Sequence, residues 1–269
     1  MAPATGYQDS SGHNPEIETR SATAPIGARR SCSMAYETVN FPMVTRARRE
    51  ITVTLTVQPV FDLARGEPVS RRIRRTVRHR GGEPALAARG VRTLETVDLK
   101  RIDLQTLNHG LDLLHIGPEG TGVLPAFWRT LVSSGGRFAL LCAELRHGAP
   151  PGTLLVEVLG GLERAPPEAI DEAIAHFETA ALGVILHIAP DPTLARRLAR
   201  VRARCLAIDF AGVEHHSARD WQAAAGLISI ARHACPQVML LNLRPEQGSA
   251  ARGAGATHAV FSGMEPILI

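Results

Sequence analysis

Between residues 153 and 209, short apolar runs alternate with stretches of helical period. TLLVEVLGG, LGVILHIAPDP and CLAIDF are each too short for a helix and rich in branched aliphatic residues, as strands are. The segments between them are amphipathic. In PPEAIDEAIAHFETAAL, prolines fall in the first turn, acids follow where the helix dipole favours them, and Ile170, Ile174 and Phe177 form an apolar stripe. The pattern predicts strand–helix–strand–helix–strand, hence a parallel sheet whose functional groups sit at strand ends. The ends here are Glu157, Ala189-Pro190 and Asp209.

Upstream, ITVTLTVQPVF from Ile51 alternates as a strand, DLARGEP supplies a turn around Gly66, and VSRRIRRTVRH returns, predicting a β-hairpin. Arginines 71, 72, 74, 75, 78 and 80 crowd the second arm and cannot all share one face. They predict a solvated, charge-protected edge strand or, alternatively, a dock for an acidic partner or a phosphate-bearing ligand. Residues 79–90 read as a loop. Leu99, Ile102, Leu107, Leu111 and Leu114 fall near helical spacing and predict one or two helices. A short strand over 121–124 is expected to stop at Pro125, with helical stretches after it that place Phe127 and Trp128 in a core. WQAAAGLISIARHA, PQVMLLNLR and THAVFSG predict a further helix and two strands. GAGATHAVFSG lacks the order and following helix of a nucleotide cradle.

Residues 1–45 are rich in Ser, Thr, Pro, Gly and Ala without apolar periodicity, and predict a disordered leader. The remainder, 46–269, predicts one folded domain. A hydrophobic content of 45% is ample for a core. The net charge of +4 is mild and aromatics are only 4%, so no nucleic-acid partner is expected. Cys32, Cys142, Cys205 and Cys235 form no CxxC pair and read as free buried thiols in a reducing compartment. No apolar run reaches the ~18 residues of a membrane span. With no signal-peptide core at the N-terminus, a cytoplasmic location is expected.

The order of these elements, with VQPVFDLARGEPV, LLVEV, LAIDF, VMLLNLRPEQ and a closing Gly-containing strand before MEP, resembles the EAL domain. The resemblance spans about residues 50–269. It implies the fold of the cyclic di-GMP phosphodiesterases: α/β, a modified TIM-like (β/α) barrel of EAL type with an N-terminal β-hairpin strand pair. It also implies a metal-dependent reaction on a phosphodiester, and a homodimer through barrel faces.

The motif positions are largely replaced. The naming glutamate of the family, a metal ligand, falls at Arg72, and its companion arginine near Thr76. The asparagine ligand falls at Leu124-Pro125, the paired aspartates at Ala189-Pro190, and the lysine before Asp209 at Ala207. The later glutamates fall at Leu241 and Arg244. Gln58, Glu157 and Asp209 keep the expected residue type. Hard divalent cations need several oxygen ligands, and one carboxylate at Glu157 beside an arginine cannot organise them. The sequence therefore predicts a catalytically inactive, degenerate EAL-like domain with no metal and no cofactor. Its role would be as a regulatory or protein-interaction module in bacterial signalling.

Two alternatives stay open. One is a metal-independent receptor for cyclic di-GMP or another phosphate ligand, with Arg72, Arg74 and Arg244 as candidate phosphate contacts. The other is an enzyme of different chemistry using Glu157 and Asp209 as an acid–base pair. Among the histidines, His215-His216 suit a solvent loop. His176, His187, His233 and His258 lie on different elements, and their spacing requires no common site.

Overall fold

A computed structural model describes residues 38–85, 94–115, 121–136, 154–178, 183–211 and 218–263. Three antiparallel strands come first: β1 (Thr38–Val44), β2 (Glu50–Asp62) and β3 (Glu67–His79). The helix α1 (Thr96–His115) leads to β4 (Thr121–Phe127) and a single turn, α2 (Trp128–Leu131). Next come β5 (Leu154–Leu159), α3 (Pro167–Glu178), β6 (Gly183–Ile188), α4 (Pro192–Arg197) and β7 (Cys205–Asp209). The chain then forms α5 (Ala218–Ala234), β8 (Gln237–Leu243), α6 (Gly248–Gly253) and β9 (His258–Phe261).

Strands β3 to β9 pair in sequence order and in parallel, and β9 closes antiparallel onto β2 at Phe61↔Ala259 and Asp62↔His258. The result is a closed eight-stranded barrel, β2–β9, with β1 added on the outer edge of β2. Alternation along each strand divides the side chains. One set fills the barrel interior: Val60, Val123, Ile185, Cys205, Ala207, Met239, Leu241 and Val260. The opposite set packs under the helices, where Ile170, Ile174 and Phe177 of α3 are buried as their spacing predicts.

Turn chemistry fixes the connections. The Asp62 carboxylate accepts from Ala64 N at 2.7 Å and Arg65 N at 3.1 Å, and Gly66 takes φ 70° where a side chain would be strained. Asp191 caps α4, accepting from Thr193 N at 2.8 Å and Leu194 N at 3.3 Å. At this point the chain runs Ala189-Pro190-Asp191, so Ala189 and Pro190 lead straight into a helix-capping turn.

Three expectations need correction. Residues 38–44, counted within the expected leader, form a strand: Phe41 and Met43 alternate inward against the core, while Pro42, in register with Thr52, is tolerated because β1 is an outer strand. The rest of the expected leader, residues 1–37, lies outside the described residues. The arginine-rich arm is not a solvated edge along its length: over Ser70–Arg72 β3 lies between β2 and β4, and the side chains of Arg72 and Arg75 are buried. Finally, β4 does not stop at Pro125 but runs on to Phe127. The β3–β4 ladder ends at Arg72↔Val123, so at Pro125 the strand is paired only with β5 and the missing N–H breaks nothing.

Beyond that last β3–β4 pair, the outer halves of β2 and β3 rise with β1 as a small antiparallel sheet. One face, carrying Val53, Leu55, Val57, Ile73 and Val77, belongs to the main core together with Leu99, Ile102 and Leu111 of α1. The Arg46 N–H ties β1 to that helix by donating to Asp98 Oδ1 at 2.8 Å.

Of the cysteines, Cys205 and Cys235 are free and buried. Burial pushes both thiols up in pKa and keeps them protonated. Cys32 and Cys142 lie outside the described residues. Among the described residues no helix is long and apolar enough to cross a membrane.

Candidate functional site at the barrel mouth

The apolar interior ends in a polar layer at the carboxyl ends of the parallel strands. In β5, Leu155 packs against the interior set and Glu157 lies two residues further on, at the mouth. The same step takes Ile185 to His187 in β6, and Ala207 to Asp209 in β7. On the other side, Val60 leads back to Gln58 in the antiparallel β2, and Arg72 faces Gln58 across the β2–β3 ladder. Period-two alternation therefore delivers five polar side chains from five strands to one level of the barrel.

Arg72 is the centre of this layer. Its Nε donates to Glu157 Oε2 at 2.7 Å and its Nη2 to Glu157 Oε1 at 2.8 Å, a bidentate pair, while Nη1 donates to Gln58 Oε1 at 2.8 Å. Arg72 is 7% exposed and Glu157 is 0% exposed. Burial alone would raise the Glu157 carboxyl, but the Arg72 charge and the hydrogen bonds from His187 and Arg72 hold it down at about 2.

A carboxylate accepts only, so the 2.7 Å contact between His187 Nδ1 and Glu157 Oε1 places the imidazole proton on Nδ1. That leaves Nε2 facing Asp209 Oδ2 at 3.8 Å, outside hydrogen-bond reach. The other Asp209 oxygen accepts from Ala211 N at 2.8 Å and from Asn242 Nδ2 at 2.6 Å. Asn242 has φ 58°, in the left-handed region, at the register shift between Leu241 and Leu243. This bulge turns Asn242, which plain alternation would place with Leu240 on the helix side, towards Asp209. Burial and the adjacent Arg72 charge push Arg74 down from its ordinary pKa, with Asp209 partly offsetting them.

The mouth thus gathers Gln58, Arg72, Arg74, Glu157 and Asp209 from the sequence-derived candidates. Arg244 stands at the end of β8, with Nε 3.5 Å from Glu246 Oε1. Leu241 and Ala207 face the barrel interior and Leu124 faces the main core. Sequence reasoning passed over His187 and Asn242. His187 had a usable signal, as a polar residue in phase with Ile185 at the end of an apolar strand. Asn242 had none, since its role depends on a bulge. Of the other histidines weighed above, His176 and His233 contact carbonyls of their own helices, and His258 contacts Thr257. His215 and His216 lie outside the described residues.

The donor set does not fit a divalent cation. Both Glu157 oxygens are occupied by Arg72 and His187, and a fixed positive charge lies where an ion would need to approach. Among the described residues, no group of three or more His, Cys, Asp or Glu side chains is arranged to hold a metal ion.

No family model and no curated protein matches this chain. Solved structures do. The PaMucR phosphodiesterase in its c-di-GMP complex aligns with a TM-score of 0.61 at 14% identity, over 77% of this chain and 92% of that one. The EAL domain of FimX from Pseudomonas aeruginosa, bound to c-di-GMP, aligns with a TM-score of 0.59 at 15% identity, over 77% and 87%. A standalone EAL protein from Vibrio cholerae O395 aligns with a TM-score of 0.57 at 12% identity, over 77% and 88%. The chain has the EAL-domain fold, a TIM-like barrel with one antiparallel strand.

Proposed function

We propose that this chain is a cyclic di-GMP-type signalling domain that has given up hydrolysis and works as a regulatory or protein-interaction module. The observation that carries this reading is the Arg72–Glu157 pair: a guanidinium holds the carboxylate that metal-dependent chemistry would require. The neighbouring strand ends add little, because Pro125 and Leu241 stand on β4 and β8, Ala189-Pro190 follows β6, and the Asp209 carboxylate on β7 is engaged by Ala211 N and Asn242 Nδ2. The partner is a protein or a second copy of the chain, and the location is cytoplasmic. The deciding experiment incubates the purified chain with cyclic di-GMP and its linear dinucleotide in the presence of Mg²⁺ or Mn²⁺. No product above the protein-free control is expected, and sustained turnover defeats the proposal.

A second reading keeps the ligand without the reaction. Arg74 and Arg244 at the rim carry the charge to meet a phosphate, and the three structural neighbours named above are all described as bound to c-di-GMP. Arg72 is already engaged with Glu157 and Gln58, so in this reading it supports the mouth instead of contacting phosphate. Calorimetry with cyclic di-GMP and no added metal separates the two. Saturable heat supports the receptor, and no heat at high micromolar ligand with folded protein counts against it. An enzyme of different chemistry would act through Glu157, His187 and Asp209. Glu157→Gln and Asp209→Asn variants that change stability alone, with no ligand-dependent signal, remove that alternative.

A further inference from the structure

We infer that the Arg72 guanidinium is a tethered cation occupying a preformed site of three oxygens, so that the chain carries in a side chain the charge a bound ion would supply. The three are Glu157 Oε1, Glu157 Oε2 and Gln58 Oε1, each within 2.8 Å of a guanidinium nitrogen. The inference rests on the reading that the donor set does not fit a divalent ion, and goes further by assigning what meets these oxygens instead.

The strand register supports this. Gln58 faces Arg72 directly, but Glu157 is on β5, with β4 between. The β4 residues at this level, Val123 and Pro125, offer no polar group, so Arg72 must span them. A long, planar side chain with donors on several nitrogens can do so, whereas the compact ammonium of a lysine lacks the fork that pairs with both carboxylate oxygens. Much of the frame that carries these oxygens is held without Arg72. Glu157 is anchored in a strand paired on both sides and is held from beyond by His187, and Gln58 lies in the β2–β3 ladder. Removal of the guanidinium should therefore leave an anionic pocket of guanidinium shape, and not a collapsed one.

The test is chemical rescue of Arg72→Ala, read as thermal stability. The variant should lose about 10 °C in Tm. Methylguanidinium at millimolar concentration, far below denaturing levels, should recover most of that loss. It should do nothing for the unsubstituted chain or for the Arg72→Ala/Glu157→Gln double variant. No recovery, or equal recovery in the double variant, overturns the inference. Should Arg72→Ala prove insoluble, the same comparison is made as refolding yield from urea with and without methylguanidinium. The outcomes are separable from those of the hydrolysis assay. Turnover of cyclic di-GMP defeats the functional proposal, whereas failed rescue in a chain that does not hydrolyse it defeats this inference alone.

Discussion

Glu157→Gln should lower the unfolding free energy by about 3–5 kcal/mol, because it leaves the buried Arg72 charge without its counter-charge. The substitution keeps shape and volume, so the loss is electrostatic and not a cavity effect. Urea titration at neutral pH measures it, and a loss under about 1 kcal/mol would sink the view of Glu157 as the counter-ion, placing the pair in the range of exposed ion pairs.

The same pair fixes an acid dependence. The folded-state pKa of Glu157 is depressed from 4.5 to about 2. Its contribution is therefore present in full above the unfolded value and is lost as pH falls from about 4.5 towards 2. Linkage puts that contribution at about 3 kcal/mol. The Gln variant should lack this part of the acid limb, so its stability and that of the parent chain should converge as pH falls through that window. Parallel curves over the window would place the acid sensitivity elsewhere.

The barrel was legible in the sequence because its strands are short, aliphatic and separated by well-signalled helices such as α3, whose proline, early acid and apolar stripe agree with one another. What was not legible depended on register. On sequence alone the arginines of this strand resemble a protected edge, and Arg72 stands out only as an aligned ligand position and a candidate phosphate contact. Only the pairing of β3 with β4 brings it within reach of Glu157, 85 residues away. His187 was passed over for the same reason, since its partner lies on another strand. Strand β1 was missed because a proline and a polar, low-complexity approach mask the alternation of Val39, Phe41 and Met43. Leu124-Pro125 and Leu241 fall on strands β4 and β8. Which of them faces the barrel follows from alternation once a strand's phase is known: Leu124 turns to the main core and Leu241 to the interior.

A second buried pair makes the contrasting case. Arg75 Nη1 donates to Asp103 Oδ1 at 2.6 Å, with both side chains 0% exposed, joining β3 to α1. Asp103 Oδ2 also accepts the Phe127 N–H at 3.0 Å, and the Arg75 guanidinium carbon stacks 4.0 Å from the Phe127 ring centroid. Yet Arg75 Nε and Nη2 are buried without a hydrogen-bond partner among the described residues. Burial also raises the Asp103 carboxyl above its ordinary pKa despite the arginine beside it. Asp103→Leu alone should cost about 3–5 kcal/mol by stranding the Arg75 charge. Arg75→Met/Asp103→Leu should return to within about 2 kcal/mol of the parent, the remainder being the Phe127 N–H left without its acceptor. Urea titration of both variants decides the point. A double variant no better than the single one would show that this pair, like Arg72–Glu157, has a favourable interaction that apolar packing cannot replace. Recovery would separate the two. The pair under the helix then serves as an expensive tie between β3 and α1, and the pair at the mouth is the one whose charges the site requires.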